Sequence, residues 1–220
     1  MKIYNLFPLL AGPLPDWTPH LERAADLGFN AIYVNPIQQS GRSGSLYSIA
    51  DYFKIDKRFL KPRSRRAPDD QVRDMTDTAD KLGLRVMTDL VINHCAVDSH
   101  LVREHPEWFK HDGDRVANPY CVEEDGSRTV WHDLAQFDHA HSSDPNGLFE
   151  YCCSVVDHLI DLGFNGLRCD AAYQIPTDFW RRLIEHARNT HPDVLFLAET
   201  LGCTPDQTRN TASAGFDYVF

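Results

Sequence analysis

Two carboxylates and a guanidinium carry the most pointed chemistry in this 220-residue sequence. Asp170 closes the run Gly-Leu-Arg-Cys-Asp (166–170), and Glu199 closes Leu-Phe-Leu-Ala-Glu (195–199). Acids at the ends of adjacent strands can work on one bond, since neighbouring strands lie about 4.8 Å apart. A carboxyl separation of ~5–5.5 Å suits double displacement at an acetal carbon, where one acid attacks and the other moves a proton. Arg168 stands two residues before Asp170, so strand alternation puts both side chains on one face. A cation there favours the carboxylate form that a nucleophile needs. A proton donor at Glu199 asks for the opposite setting, burial or a neighbouring anion. A third run, Asp-Leu-Val-Ile-Asn-His (89–94), points Asp89 inward and leaves His94 just past a strand end, in reach of a ligand hydroxyl.

Those residues need a scaffold, and the hydrophobic pattern supplies one. Strands are expected over 3–10, 31–34, 85–92, 166–171, 195–198 and 216–220, and helices over 16–27, 69–82, 148–162, 177–190 and 204–214. The phrase Leu-Gly-Phe/Leu recurs at 27–29, 82–84 and 162–164, each time closing a helix and entering a strand. Residues 36–68 read as a polar loop, and 93–145 as a long excursion rich in His and Pro. Alternating β and α segments imply a parallel sheet with helices outside it. No Gly-rich phosphate loop follows any strand, and the strands end instead in Asn35, Asn93, His94, Asp170 and Glu199. Polar strand ends build the active sites of (β/α)8 barrels. The fold class expected is therefore α/β, the N-terminal part of a (β/α)8 TIM barrel. It comprises about strands 1–6, with an inserted subdomain at 95–145 after strand three. A complete barrel takes ~250 residues before insertions. Residues 1–220 thus read as an incomplete catalytic domain, part of a longer enzyme.

Composition narrows the function classes. A net charge of −10 argues against nucleic acid or anionic membrane as a partner. No apolar run approaches the ~18–20 residues of a membrane span, and the opening residues read as a strand, not a signal peptide. Six Cys with no CxxC spacing read as reduced thiols of a cytoplasmic protein.

On these motifs the chain resembles the α-amylase superfamily (glycoside hydrolase family 13), the retaining hydrolases and transglycosylases of α-glucans. The segments 89–94, 166–174 and 197–200 resemble its first three conserved blocks in order, and 43–56 resembles its segment after strand two. The resemblance implies retaining cleavage or transfer of α-1,4-glucosidic bonds, with Asp170 as nucleophile and Glu199 as general acid/base. Arg168 would orient Asp170, His94 would bind sugar hydroxyls, Tyr47 would stack on the sugar ring, and Asp89 would support them. Asn93 corresponds to a calcium ligand in many relatives, and Asp133 resembles a block that completes that site; no other cofactor is implied. The segments RCDAAYQ, AETLGCTPDQ and REHPEWF are similar to the maltosyltransferase-like branch. That branch implies α-1,4-glucan, maltooligosaccharide or maltosyl phosphate as partners. Tyr173-Gln174 stands where typical amylases carry Lys-His, which implies different acceptor-side contacts at Tyr173. The family's fourth block, with a third catalytic acid, has no counterpart in the sequence.

Other features have plainer readings. A non-catalytic carbohydrate-binding module is the alternative to an enzyme. His139-x-His141 resembles the metal pair of amidohydrolase barrels but lies in the wrong segment. Lys57, Arg58, Lys61, Arg63, Arg65 and Arg66 read as a solvated loop, with phosphate binding as the sharper option. Cys152, Cys153 and Cys169 read as core; Trp108, Tyr120 and Trp131 have two readings, platforms that stack on sugars or the small core of the excursion, of which the core is the plainer.

Overall fold

The computed structural model describes residues 1–122 and 125–220. Strand β1 (Ile3–Leu6) ends before the expected Leu10, because Pro8 has no N–H for a ladder and opens a helical turn, α1 (Pro8–Ala11). Helix α2 (Thr18–Asp26) leads to β2 (Ala31–Val34). The expected polar loop holds an antiparallel hairpin, β3 (Gln38–Ser40) and β4 (Ile49–Ile55). Register shifts in this hairpin place its buried residues, Ile49, Tyr52 and Ile55, every third position, which hides the strand from a period-two reading. Helix α3 (Pro68–Lys81) buries Val72, Met75, Thr76 and Ala79 on one stripe and feeds β5 (Arg85–Leu90).

The excursion contributes β6 (His94–Ala96), α4 (His100–Glu104), β7 (His111–Asp112), β8 (Arg115–Val116), β9 (Tyr120–Val122), β10 (Arg128–Val130) and β11 (Leu134–Gln136). Its last strand returns to pair antiparallel with its first, Gln136 opposite His94. Helix α5 (Pro145–Asp161), β12 (Gly166–Cys169), α6 (Thr177–Thr190), β13 (Leu195–Ala198), α7 (Pro205–Ala212) and β14 (Tyr218–Val219) complete the chain.

Six strands form one parallel sheet in the order β1-β2-β5-β12-β13-β14. Gly28, Gly83 and Gly163 sit just past α2, α3 and α5 with φ of +77°, +72° and +94°, the left-handed exit that the recurring Leu-Gly phrase encodes. The main core lies between the sheet's outer face and the helices, where Cys169, Cys152 and Cys153 are buried. A second layer of Ala31, Met87 and Leu197 packs on the concave face, where Gly166 leaves room for Met87.

Candidate active site

Parallel register puts Asp89 of β5 beside Arg168 of β12, and Arg168 beside Leu197 of β13. Backbone bonds continue past the strand ends: Asp170 N–H donates to Leu90 O (3.1 Å) and Glu199 N–H to Cys169 O (3.1 Å). The rim that carries the two carboxylates is therefore part of the ladder, not a free loop. Ala171 then turns left-handed (φ 42°, ψ 46°), an unusual state for a residue with a Cβ. The turn aims its N–H at Glu199 Oε2 (2.7 Å), while Leu201 N–H holds Oε1 (3.0 Å). Both oxygens of Glu199 thus accept backbone N–H groups, in addition to the burial that the sequence asked for.

One guanidinium organises the acids. Arg168 Nη1 donates to Asp89 Oδ1 (2.7 Å) and to Asp170 Oδ1 (2.6 Å), and Nη2 lies 3.9 Å from Glu199 Oε2. Burial works against the charge of Arg168, but Asp89 and Asp170 outweigh it and raise its pKa. Asp89 is fully buried beneath it and does not line the cleft, which makes it a support and not a substrate contact. Tyr33 Oη donates to Asp89 Oδ2 (2.6 Å), and Tyr47 Oη donates to the same oxygen at 3.2 Å. Burial, then the Asp89 charge, raises the pKa of both phenols, so they stay neutral donors.

Above this cluster opens a cleft of about 400 Å³. Tyr47, Asn93, His94, Asp133, Arg168, Asp170, Tyr173 and Glu199 all line it, so every expected site residue but Asp89 faces one space. His94 is buried and its Nε2–H donates to Tyr47 O (3.1 Å). Burial lowers its pKa and leaves the ring neutral near pH 7. The Asn93-His94 turn is pinned from the hairpin side, because Tyr52 Oη donates to Val91 O (2.8 Å) and His94 O (2.9 Å).

The donor set for calcium is thin. Asn93 Oδ1 is buried without a hydrogen-bond partner, and Asp133 lines the same cleft. Calcium takes about six to eight oxygens. Among the described residues no group of three or more His, Cys, Asp or Glu could hold a metal ion. Asn93 and Asp133 supply two such oxygens, and the catalytic residues act without a metal ion.

Two other expectations resolve plainly. His139 is not half of a metal pair: its Nε2–H donates to Ile92 O (2.6 Å) and its ring packs edge-on against Phe179. Burial pushes its pKa down to about 4, against an ordinary 6.5. The folded state thus holds fewer protons than the unfolded one between those values. Stability is full above pH 6.5 and lost as pH falls toward 4. The shift corresponds to about 3 kcal/mol. Urea midpoints of wild type should fall across that window, and those of H139F should not follow. None of the six basic residues at 57–66 lines the cleft; Arg58 is tied to Asp56, and Arg66 to Asp74.

Sequence reasoning missed two contributors, Tyr33 and Ala171. Tyr33, one strand from Asp89, was hidden in an apolar run; strand alternation from Asn35 would have pointed it inward. The left-handed Ala171 carries no sequence signal. Trp131 and Tyr120 are not core: they are exposed, and Trp131 lines the cleft, while Trp108 is buried and bonds Asp144.

Residues 1–110 match the family model of the glycogen debranching enzyme glucanotransferase domain. An alpha-1,4-glucan:maltose-1-phosphate maltosyltransferase of Myxococcus xanthus is 30% identical over 198 residues, covering 83% of this chain and 28% of that protein. A maltosyltransferase of the same description from Streptomyces coelicolor is 27% identical, covering 99% of this chain and 34% of its own length. The crystal structure of an alpha-amylase from Lactobacillus plantarum superposes with a TM-score of 0.77 at 29% identity, covering 98% of this chain and 48% of that one. The chain thus spans about a third of these curated relatives and about half of the solved structure.

Proposed function

The chain belongs to the α-amylase superfamily, and from that premise we propose that it carries the nucleophile and the acid/base of an enzyme that cleaves or transfers α-1,4-glucosidic bonds with retention. The observation that carries this reading is the Arg168 guanidinium, bonded to Asp170 and within 3.9 Å of Glu199 on the next strand. Arg168 occupies Asp170 Oδ1 and orients the carboxylate, so that Oδ2 attacks the anomeric carbon. Glu199, protonated, gives its hydrogen to the departing glycosidic oxygen as that bond breaks. Asp89 and Asp170 face the one guanidinium of Arg168, and their charge stabilises the oxocarbenium-like charge that develops on the sugar. In the second step Glu199 takes the proton of the acceptor, whose oxygen displaces Asp170 and restores the configuration.

Several observations support finer assignments. His94 stands where it can bind sugar hydroxyls and Tyr47 where its ring can stack on the sugar, while Tyr173 and Gln174 line the same cleft on the side given to the acceptor. Residues 95–145 act as an inserted subdomain that closes one side of the cleft through Pro119, Trp131, Asp133 and Leu134. The names of the relatives favour maltosyl transfer with an α-1,4-glucan or maltose 1-phosphate. Cys95, Cys152, Cys153, Cys169 and Cys203 are free thiols, which fits a reducing compartment, the cytoplasm. No helix among the described residues is long and apolar enough to cross a membrane.

Trapping tests the reading. A fluorinated α-glucosyl donor, which forms the covalent intermediate faster than it releases it, should add one glycosyl mass to the protein, and peptide mapping should place it on Asp170. A protein that binds maltooligosaccharide yet forms no adduct is a binding module, and that result refutes the enzyme.

A further inference from the structure

Four tryptophans divide sharply by exposure. Trp17, Trp108 and Trp180 are buried at 0%, 4% and 0%, each with its indole N–H bonded. Trp131 is 40% exposed and lines the same cleft as Asp170 and Glu199. Large exposed aromatics on a concave surface need a reason, because a core would have taken their apolar faces.

The backbone around Trp131 is held from several sides. Its N–H donates to Pro119 O (3.0 Å), and its own carbonyl accepts from Leu134 N–H (3.2 Å). Two residues on, Asp133 O accepts from Val97 N–H (2.9 Å) and from Ser48 Oγ (3.2 Å). The next strand, β11, pairs with β6, which begins at His94. The indole is thus carried on a backbone segment stapled to the element that holds His94, and that segment is set before any ligand arrives.

The surroundings select the ligand. A pyranose ring presents an apolar C–H face and a rim of hydroxyls. The electron-rich face of an indole suits the first, since C–H bonds carry partial positive charge. Tyr47, His94, Asp133 and Gln174 along the same cleft offer partners to the second. A wholly apolar ligand would leave these polar groups unpaired.

We infer that Trp131 is a stacking platform for a glucosyl ring of the bound chain and sets affinity for the glucan from the inserted subdomain. This rests on the glucan reading of the cleft and adds a specificity-determining residue to it. Trp131 touches no reacting atom, so its loss should act on binding and leave the chemistry of a bound donor alone.

Fluorescence reads this residue directly. The emission of wild type minus that of W131F isolates Trp131, and this difference should shift to shorter wavelength as maltoheptaose is added. Calorimetry should show W131A binding maltoheptaose about tenfold more weakly than wild type. W131F, which keeps an aromatic face, should stay close to wild type and shows that the fold is intact. Wild type that binds with an unchanged difference spectrum, and W131A that binds equally well, would overturn the platform while leaving the glucan reading in place. Wild type that does not bind maltoheptaose at all overturns both.

Discussion

Asp170→Asn should lower turnover of an α-1,4-glucan by roughly four orders of magnitude or more while leaving the fold intact. The amide has nearly the shape of the carboxylate. Its carbonyl oxygen can still accept the Arg168 bond that Asp170 Oδ1 accepts at 2.6 Å. What it lacks is the negative charge and the lone pair that attack the anomeric carbon. The covalent intermediate then has no route to form, and the fluorinated donor should leave no adduct. Glu199→Gln gives a different signature. It removes the proton supply, so natural glucans should be cleaved slowly, but a donor with a leaving group that departs unprotonated should still load Asp170. The second step then waits for a base, and the glycosyl-protein should accumulate. Steady-state rates on glucan and on an activated glucosyl fluoride separate the two roles. Near-normal rates with Asp170→Asn on either substrate would remove Asp170 from the chemistry.

The part of this site that was legible in the sequence is the part that strand geometry dictates. Arg168 and Asp170 share a face because side chains alternate, and Asp89 joins them because parallel register sets Arg168 beside it. The helix exits at Gly28, Gly83 and Gly163 were legible too, since a left-handed residue after a helix favours glycine. What escaped has a physical reason in each case. Tyr52 anchors the Asn93-His94 turn from a hairpin whose irregular register removes the period-two signal. The Glu199 cradle depends on Ala171 in a conformation that its side chain does not favour, so only tertiary context selects it. The sequence left Trp131 between small core and sugar stacking; the return of β11 to β6 takes it out of the core and puts it at the cleft. Pairings far apart in sequence decide these features, and local pattern carries no record of them.

Asp89→Ala should produce the largest loss of stability of any substitution at the site, about 3–5 kcal/mol. Asp89 is fully buried and serves three donors: Arg168 Nη1 at 2.7 Å, Tyr33 Oη at 2.6 Å and Tyr47 Oη at 3.2 Å. Removing it leaves a largely buried guanidinium with one acid fewer, and Tyr33 and Tyr47 with only each other (3.3 Å), so that one phenol has no acceptor and costs its desolvation. For a chain of this size the melting temperature should drop by about 10 °C. Asp89→Asn should cost less, because the amide oxygen can still accept from Tyr33. The decisive comparison is the double variant Asp89→Leu with Arg168→Met. Replacing a buried ion pair by apolar groups of similar volume is often neutral, so this protein should regain much of the lost stability. Its activity should not return, because Asp170 then has no cation to orient it. Urea midpoints and turnover measured on the same four proteins separate holding the sheet together from aiming the nucleophile. A loss below about 1 kcal/mol in Asp89→Ala would mean that water enters and solvates Arg168, and that the buried acid does not anchor the site.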